Sequence, residues 1–279
     1  MLLAGLLAFF SAAYAEEVCN QDYCLDYTGG KLLKKNGTAV EDLTRQAGIG
    51  VNESVTAIAW SGEYWLLGIS NYNRSVGRRL GRTYTSTILR YDGKTFTDLS
   101  ADAKLNKTHI RGVSPKIIST IRCVQEYCLI GYWVSYPGSA GGLLRYDRDD
   151  FKELSVEGEI KDMTWNGKEW LIHYRKGEFH TSVVEIYDGV NLKKIIPPTI
   201  RFRKEEAYWV TNYTWDATSR SWLIRAKVGV PLSGKPMKEV VVEYPDREVG
   251  RGICGPTAAV VPALLPPLLY RRWTTGGRR

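Results

Sequence analysis

A short bracketed motif recurs along this chain and constrains its fold more than any other feature. It reads C-NQDY-C at 19–24, W-SGEY-W at 60–65, C-VQEY-C at 123–128, W-NGKE-W at 165–170 and W-DATSRS-W at 215–222. Repeats at periods of about 40 to 50 residues belong to stacked or radially arranged units. β-rich runs precede the motif (VTAIAW, IISTIRC, IKDMTW, WVTNYTW) and follow it (WLLGIS, YCLIGYW, WLIHYR, WLIRAKV), so each copy predicts a tight hairpin. A two-residue turn such as Gly62-Glu63 or Gly167-Lys168 sets the bracketing residues opposite one another, with Cβ atoms about 4.5 to 5.5 Å apart. That spacing suits a Trp/Trp pair and equally a cross-strand disulfide. The interchange of Cys/Cys with Trp/Trp therefore predicts disulfides Cys19–Cys24 and Cys123–Cys128. A four-cysteine metal site would need C-x2-C spacing, so no metal is expected.

A second hairpin recurs further along each unit: KLLKKNGTAVEDLT, ILRYDGKTFTDLS, LLRYDRDDFKELS, VEIYDGVNLKKII and VVVEYPDREVG. Asn-Gly and Asp-Gly between alternating strands are strong hairpin signals. Two hairpins per unit make four strands, the blade of a β-propeller, and about five blades fit between Val18 and Gly250. The expected class is all-β, with a β-sandwich as the alternative architecture. Helix should be scarce, because no 3.6-residue apolar period is sustained inside the repeats. Long loops (Asn71 to Tyr84, Ala101 to Pro115) stretch the spacing between the second and third units, and the last unit ends in a weak strand near Arg247 to Gly250.

The ends carry an address. Residues 1–15 (MLLAGLLAFFSAAYA) are uncharged and finish Ala13-Tyr14-Ala15, a small-x-small pattern suited to signal peptidase, which would start the mature chain at Glu16. An uncleaved anchor is the other reading of that stretch. The ectodomain would run over 16–250. Residues 251–279 hold an uncharged run, Ile253 to Tyr270, followed by Arg271, Arg272, Arg278 and Arg279. Eighteen apolar residues with trailing arginines suit a short membrane span, the arginines cytoplasmic. Pro256, Pro262, Pro266 and Pro267 are poor helix material, so a kinked helix or a transient sorting signal fits as well. Cys254-Gly255-Pro256, the Leu/Val/Pro run and the terminal arginines resemble the CGP-CTERM sorting segment of surface proteins from hyperthermophilic archaea. The resemblance covers about the last 26 residues. It implies that Cys254 carries a lipid or marks a processing point, and that membrane lipid is a partner. The tail RRWTTGG before the last arginines departs from that family's compact basic cluster.

The formal net charge of +8 does not imply nucleic acid. Five of the 38 basic residues (Arg251 and the four tail arginines) lie beyond residue 250, leaving 33 against all 30 acids, a balance of +3. Such a balance lacks the footprint that binds phosphate backbones.

Catalytic signals are sparse. His109, His173 and His180 are the three histidines, and none forms a spaced chelating pair; His173 reads as a packing residue. No nucleophile elbow, H-E-x-x-H helix or phosphate-binding glycine loop is present, and no cofactor is expected. Asp162 stands on the first strand of the fourth unit, where other units have Ala57, Thr120 and Asn212. It is the best single candidate for a carbohydrate hydrolase, which would need two carboxyls about 5 to 10 Å apart. Glu41/Asp42, Asp98 and Glu153 recur on the outermost strands as solvated edge protection. The recurring Trp60, Trp65, Trp165, Trp170, Trp215 and Trp222 read as packing between units. Tyr72 and Tyr84 in the first long loop, Trp133 and Tyr136 in YWVSYPGSAGG, and Trp209 lie outside the repeat and are the ligand candidates. Sequons at Asn36, Asn52, Asn73 and Asn106 fall in turns or loops and suit glycosylation; a fifth at Asn212 falls on a strand and is expected to be unmodified. The functional expectation is a non-enzymatic, membrane-anchored surface protein binding a glycan or a protein partner through loops. A surface hydrolase and a structural envelope component are the alternatives.

Overall fold

The computed structural model describes residues 17–72, 84–105, 116–134, 140–176, 181–195, 207–230 and 236–245. The signal-like and anchor-like ends, Cys254, Tyr136, His109, His180, Asn73 and Asn106 lie outside them. All regular structure among the described residues is antiparallel β. Four sheets hold four strands each, in chain order: β1 (Val18–Cys19), β2 (Cys24–Thr28), β3 (Lys31–Asn36) and β4 (Ala39–Asp42); β5 (Glu53–Trp60), β6 (Trp65–Tyr72), β7 (Tyr84–Tyr91) and β8 (Phe96–Asp98); β9 (Lys116–Cys123), β10 (Cys128–Val134), β11 (Ala140–Asp147) and β12 (Asp150–Leu154); β13 (Glu159–Trp165), β14 (Trp170–Lys176), β15 (Thr181–Tyr187) and β16 (Leu192–Lys194). A fifth sheet joins β17 (Ala207–Asp216), β18 (Ser221–Gly229) and β19 (Lys238–Pro245). Two compact units result, Met1–Lys194 with the first four sheets and Ile195–Arg279 with the fifth.

The bracketed motif closes the first hairpin of every sheet. Cys19 pairs Cys24, Trp60 pairs Trp65, Cys123 pairs Cys128, Trp165 pairs Trp170 and Trp215 pairs Trp222. Both cysteine pairs are disulfides, with Cα atoms 3.9 and 4.0 Å apart. The Trp rings meet at 5.0 to 5.3 Å between centroids. Within each Trp pair the second ring is fully buried (Trp65, Trp170, Trp222), whereas the first is half-buried.

The turns differ from the expected Asn-Gly and Asp-Gly geometry by one position. Asp92 and Asp188 flank the turn, and glycine takes the first central place with positive φ (Gly93 97°, Gly189 92°). Each aspartate then accepts the two free amides inside the turn, from Lys94 and Thr95 and from Val190 and Asn191. The short side chain is thus a better cap than a central turn residue. In the third sheet the glycine place is taken by Arg148 at φ 56°.

Adjacent sheets of the first unit interlock through glycines of their second strands. A Cβ at Gly68 would stand 2.5 Å from Ile118 Cγ2, and one at Gly131 2.7 Å from Ile160 Cβ. Each glycine seats an isoleucine from the first strand of the next sheet. In β11, Gly141 leaves room for the Gly158 carbonyl, and Gly142 lies beneath the Tyr132 hydroxyl of its own sheet.

A further linkage repeats where the hairpin turns gather. Lys34, Arg90 and Arg145 stand over Tyr23, Tyr64 and Tyr127 of their own sheets, at 4.5, 5.8 and 4.0 Å from the ring centroids. The same cations reach the next sheet: Lys34 Nζ donates to the Gly93 carbonyl at 3.3 Å, the Arg90 charge acts on Tyr146, and Arg145 donates to the Tyr187 hydroxyl and the Gly189 carbonyl. Trp65 Nε1 donates to Tyr23 and Trp170 Nε1 to Tyr127. The fourth sheet has Glu169 and Ile186 in these places.

Edge protection proves an incomplete reading of the outer acids. Asp42 and Asp98 accept amides of Thr44 and Ser100, whose hydroxyls accept the Leu32 and Ile88 amides beyond the end of the fourth strand. Between acid and hydroxyl, Leu43 and Leu99 enter the core. Glu153 accepts from the buried Tyr132 hydroxyl and from Lys116 Nζ at 3.1 Å. Asp42 and Asp98 thus terminate their strands, and Glu153 ties its own to β9 and β10, so none of the three merely faces water.

Candidate functional site

The first strands β5, β9, β13 and β17 each carry one bulge at an equivalent place, marked by Thr56, Ser119, Lys161 and Thr211. Bulges bend a strand and re-aim its side chains, and they concentrate beside functional sites. Three of them are locked alike: Thr56, Ser119 and Thr211 donate their hydroxyls to the carbonyls of Gly68, Gly131 and Arg225, each at 3.2 Å. Lys161 cannot repeat that bond and instead pairs with Glu159 at 2.6 Å.

The neighbouring positions diverge in the same direction. Where β5 has buried Ala57 and Ala59, β9 has partly exposed Thr120 and exposed Arg122, and β13 has partly exposed Asp162 and Thr164. β17 has exposed Asn212 and Thr214 in the same places, so three of the four bulged strands are polar there. Arg122 and Asp162 approach across two sheets, Nη2 to Oδ1 at 4.0 Å, each with 46% of its side chain exposed. Arg122 Nη1 also donates to the Ile121 carbonyl at 3.4 Å, and Asp162 Oδ1 accepts the Met163 amide at 2.7 Å.

Behind Asp162 the fourth sheet buries more polar groups. His173 lies opposite it in the ladder, 7% exposed, with Nε2 3.0 Å from the Ser182 hydroxyl. Burial, helped by the Arg175 charge, lowers the His173 pKa to about 4, against a smaller opposing pull from Asp162. The imidazole is therefore neutral at physiological pH. Serine beside neutral histidine and an aspartate evokes an activated nucleophile, but Ser182 is only 3% exposed. Its equivalent in the second sheet, Ser86, accepts the Ile118 amide of the next sheet at 3.3 Å, which is a packing task. The pair is structural. Glu185, 9% exposed, stands in a column that elsewhere holds Leu89 and Leu144. It accepts the Tyr174 hydroxyl at 2.9 Å, while its Oε2 has no partner. Burial raises its pKa.

The expected ligand aromatics fall at the opposite ends of the strands. Tyr72 and Tyr84 are paired final rungs of β6 and β7 rather than loop residues, because the alternating pattern runs on to them. Trp133 sits in β10 opposite Gly141 and Trp209 in β17 opposite Lys227, both half-buried. Asn36 and Asn52 are exposed at turns, and Asn212, expected on a strand, is exposed there. Sequence reasoning missed Arg122 and Lys161. The divergence from Ala59 and Thr56 was visible in the aligned repeats, but the bulge that brings them to the exposed edge was not.

No protein-family model and no curated protein matches the chain. Among solved structures it is similar to the β-propeller domain of the Trilobed protease from Pyrococcus furiosus, at TM-score 0.43 and 9% identity over 82% of this chain. It spans 64% of that chain's length. It is also similar to the complex of KlAtg21 with the coiled-coil of AgAtg16, at TM-score 0.39 and 13% identity over 89% of this chain and 69% of that one. A third is the GH43 BlXynB protein from Bacillus licheniformis, at TM-score 0.35 and 8% identity over 84% of this chain and 53% of that one.

Proposed function

We propose that this chain is an exported β-propeller of five blades, held at the outer face of a membrane by residues 251–279, that binds a glycan or protein partner without catalysing a reaction. The two hairpin disulfides carry the reading, since disulfides persist in oxidising compartments and are rare in the cytosol. The signal-like start, Cys254 in its CGP context, and exposed sequons at Asn36 and Asn52 agree with that address. Trp133 and Trp209 favour binding: they are half-exposed rings outside the repeat, near the ends of β10 and β17, where a rigid scaffold presents ligand contacts. Hydrolysis is less well supported, because Asp162 is turned toward Arg122, and Glu159 toward Lys161.

Intact mass of the protein from its native membrane, before and after reduction, tests the address. A chain beginning at Glu16, gaining about four hydrogens on reduction of its two disulfides and carrying lipid or a trimmed tail, is the expected result. A full-length chain with five free thiols would abandon it.

A further inference from the structure

The two disulfides occupy the same place in their sheets, yet they differ in access, in neighbouring charge and in the strand pairing around them. We infer that Cys19–Cys24 is a redox-sensitive clasp on β1, opened by a dithiol reductant that leaves Cys123–Cys128 intact.

Access separates the pairs first. Cys19 is exposed and Cys24 half-buried, so an attacking thiolate reaches Cys19 Sγ from solvent. Cys128 is fully buried in the core shared by the second and third sheets, and Cys123 packs against that core half-buried. Exposed disulfides are the labile ones, and enclosed ones resist exchange.

The leaving sulfur separates them again. Lys35 stands across the ladder from Cys24, whereas Tyr146 stands across from Cys128. Directly opposed Cβ atoms lie about 4.5 to 5.5 Å apart, so the Lys35 ammonium on its flexible stem is within reach of a thiolate at Cys24 and stabilises it. Asp26 and Glu17 hold that ammonium at 2.7 and 3.3 Å and offset part of its charge. A thiolate at Cys128 would instead face a buried tyrosine ring, and burial penalises the charged form.

The exchange balances in two displacements. One thiolate of the reductant attacks Cys19 Sγ, the protein S–S bond breaks, a mixed disulfide forms, and Cys24 departs as a thiolate that takes up a proton. The reductant's second thiolate then closes on the first sulfur, forming the reductant's own disulfide and releasing Cys19, which is protonated in turn. Two electrons and two protons pass from the dithiol to the protein.

Strand pairing decides what reduction does. β1 joins β2 through two rungs, Val18↔Leu25 and Cys19↔Cys24, closed by the Asn20 N–H donating to the Tyr23 carbonyl at 3.0 Å. Val18 packs half-buried against the core shared with the second sheet, and Glu17 adds an exposed ion pair to Lys35, which contributes little. A terminal strand this short stays ordered where it is tied down. β9, by contrast, joins β10 through seven rungs and buries Ile117, Ile118 and Ile121. Opening Cys19–Cys24 therefore frees β1 from β2, whereas opening the other pair would leave β9 in place.

The full chain in detergent is treated with dithiothreitol, its thiols are trapped with isotope-coded N-ethylmaleimide, and the peptides are read by mass spectrometry. Cys19 and Cys24 should be labelled at least about tenfold faster than Cys123 and Cys128, and the rates should converge in guanidinium chloride, where both environments are lost. Lys35→Gln should slow labelling of the first pair about threefold or more. Hydrogen exchange of the selectively reduced protein should show protection lost over residues 18–25 and kept over residues 116–134. Equal native rates, or faster labelling of Cys123 and Cys128, would overturn the clasp. Selective reduction with residues 18–25 still protected would overturn the release of β1, and an unchanged rate in Lys35→Gln would remove Lys35 from the exchange.

Discussion

Arg148 holds a conformation that the corresponding glycines adopt freely. A left-handed conformation costs an ordinary residue about 1 kcal/mol, and the exposed ion pair with Glu63 at 2.5 Å returns about 0 to 1. Arg148→Gly is accordingly expected to raise stability slightly, by less than about 1 kcal/mol in chemical denaturation; a loss would show that the link to Glu63 outweighs the backbone. His173 makes a sharper prediction. Its folded pKa lies below the unfolded value of about 6.5, so the unfolded chain takes up the proton first. Stability should be flat with respect to this group above about pH 6.5 and fall by up to about 3 kcal/mol as pH drops toward 4. His173→Gln should flatten that slope between pH 6.5 and 4, and an unchanged slope would place the acid sensitivity elsewhere.

Second strands dock through missing side chains as much as through present ones. Gly68→Ala would drive a methyl group into Ile118 and should cost about 1 to 3 kcal/mol. Coupling Gly68→Ala with Ile118→Ala in a double-mutant cycle should recover at least about 1 kcal/mol of the summed losses; strict additivity would mean the sheets adjust without contact. Glu185 is the converse case, a carboxyl in a leucine column. Changing both members of its pair, Glu185→Leu with Tyr174→Phe, removes a buried polar contact whole and should leave the protein as stable or more so at neutral pH. Glu185 alone gives stability that is present below the ordinary carboxylate range and lost as pH rises through its elevated folded value, opposite in sign to His173. The hairpins, their Cys/Trp registers and the four-strand units were legible in sequence because turn chemistry and cross-strand pairing are local. The phase of the Asx-Gly turns was not, since one dipeptide serves either as turn centre or as flank plus first central residue. The strand positions of Tyr72 and Tyr84 were not legible, because the loop-like composition between them masks the alternation that runs on to both.

At the scale of the whole molecule, the two disulfides lie in different sheets and share no partner. Their removal should therefore be additive, about 2 kcal/mol for each loop of roughly six residues. Thermal unfolding of Cys19→Ser/Cys24→Ser, Cys123→Ser/Cys128→Ser and the quadruple variant checks this, and a quadruple variant no worse than one double would contradict it. The Arg122–Asp162 edge was the part least readable in advance. It depends on two bulged strands from different sheets coming together, a relation that no local pattern in β9 or β13 expresses.

Each disulfide joins cysteines five residues apart, and each Lys/Arg–Tyr linkage reaches forward to the sheet that follows it in the chain. A polypeptide threaded through a membrane pore from its N-terminus would thus meet its bonding partners in order of emergence. Every oxidised hairpin could close before later cysteines appear, leaving no earlier thiol to mispair, and each completed sheet would present a cation ready to catch its successor. The architecture lends itself to assembly from the N-terminus onward.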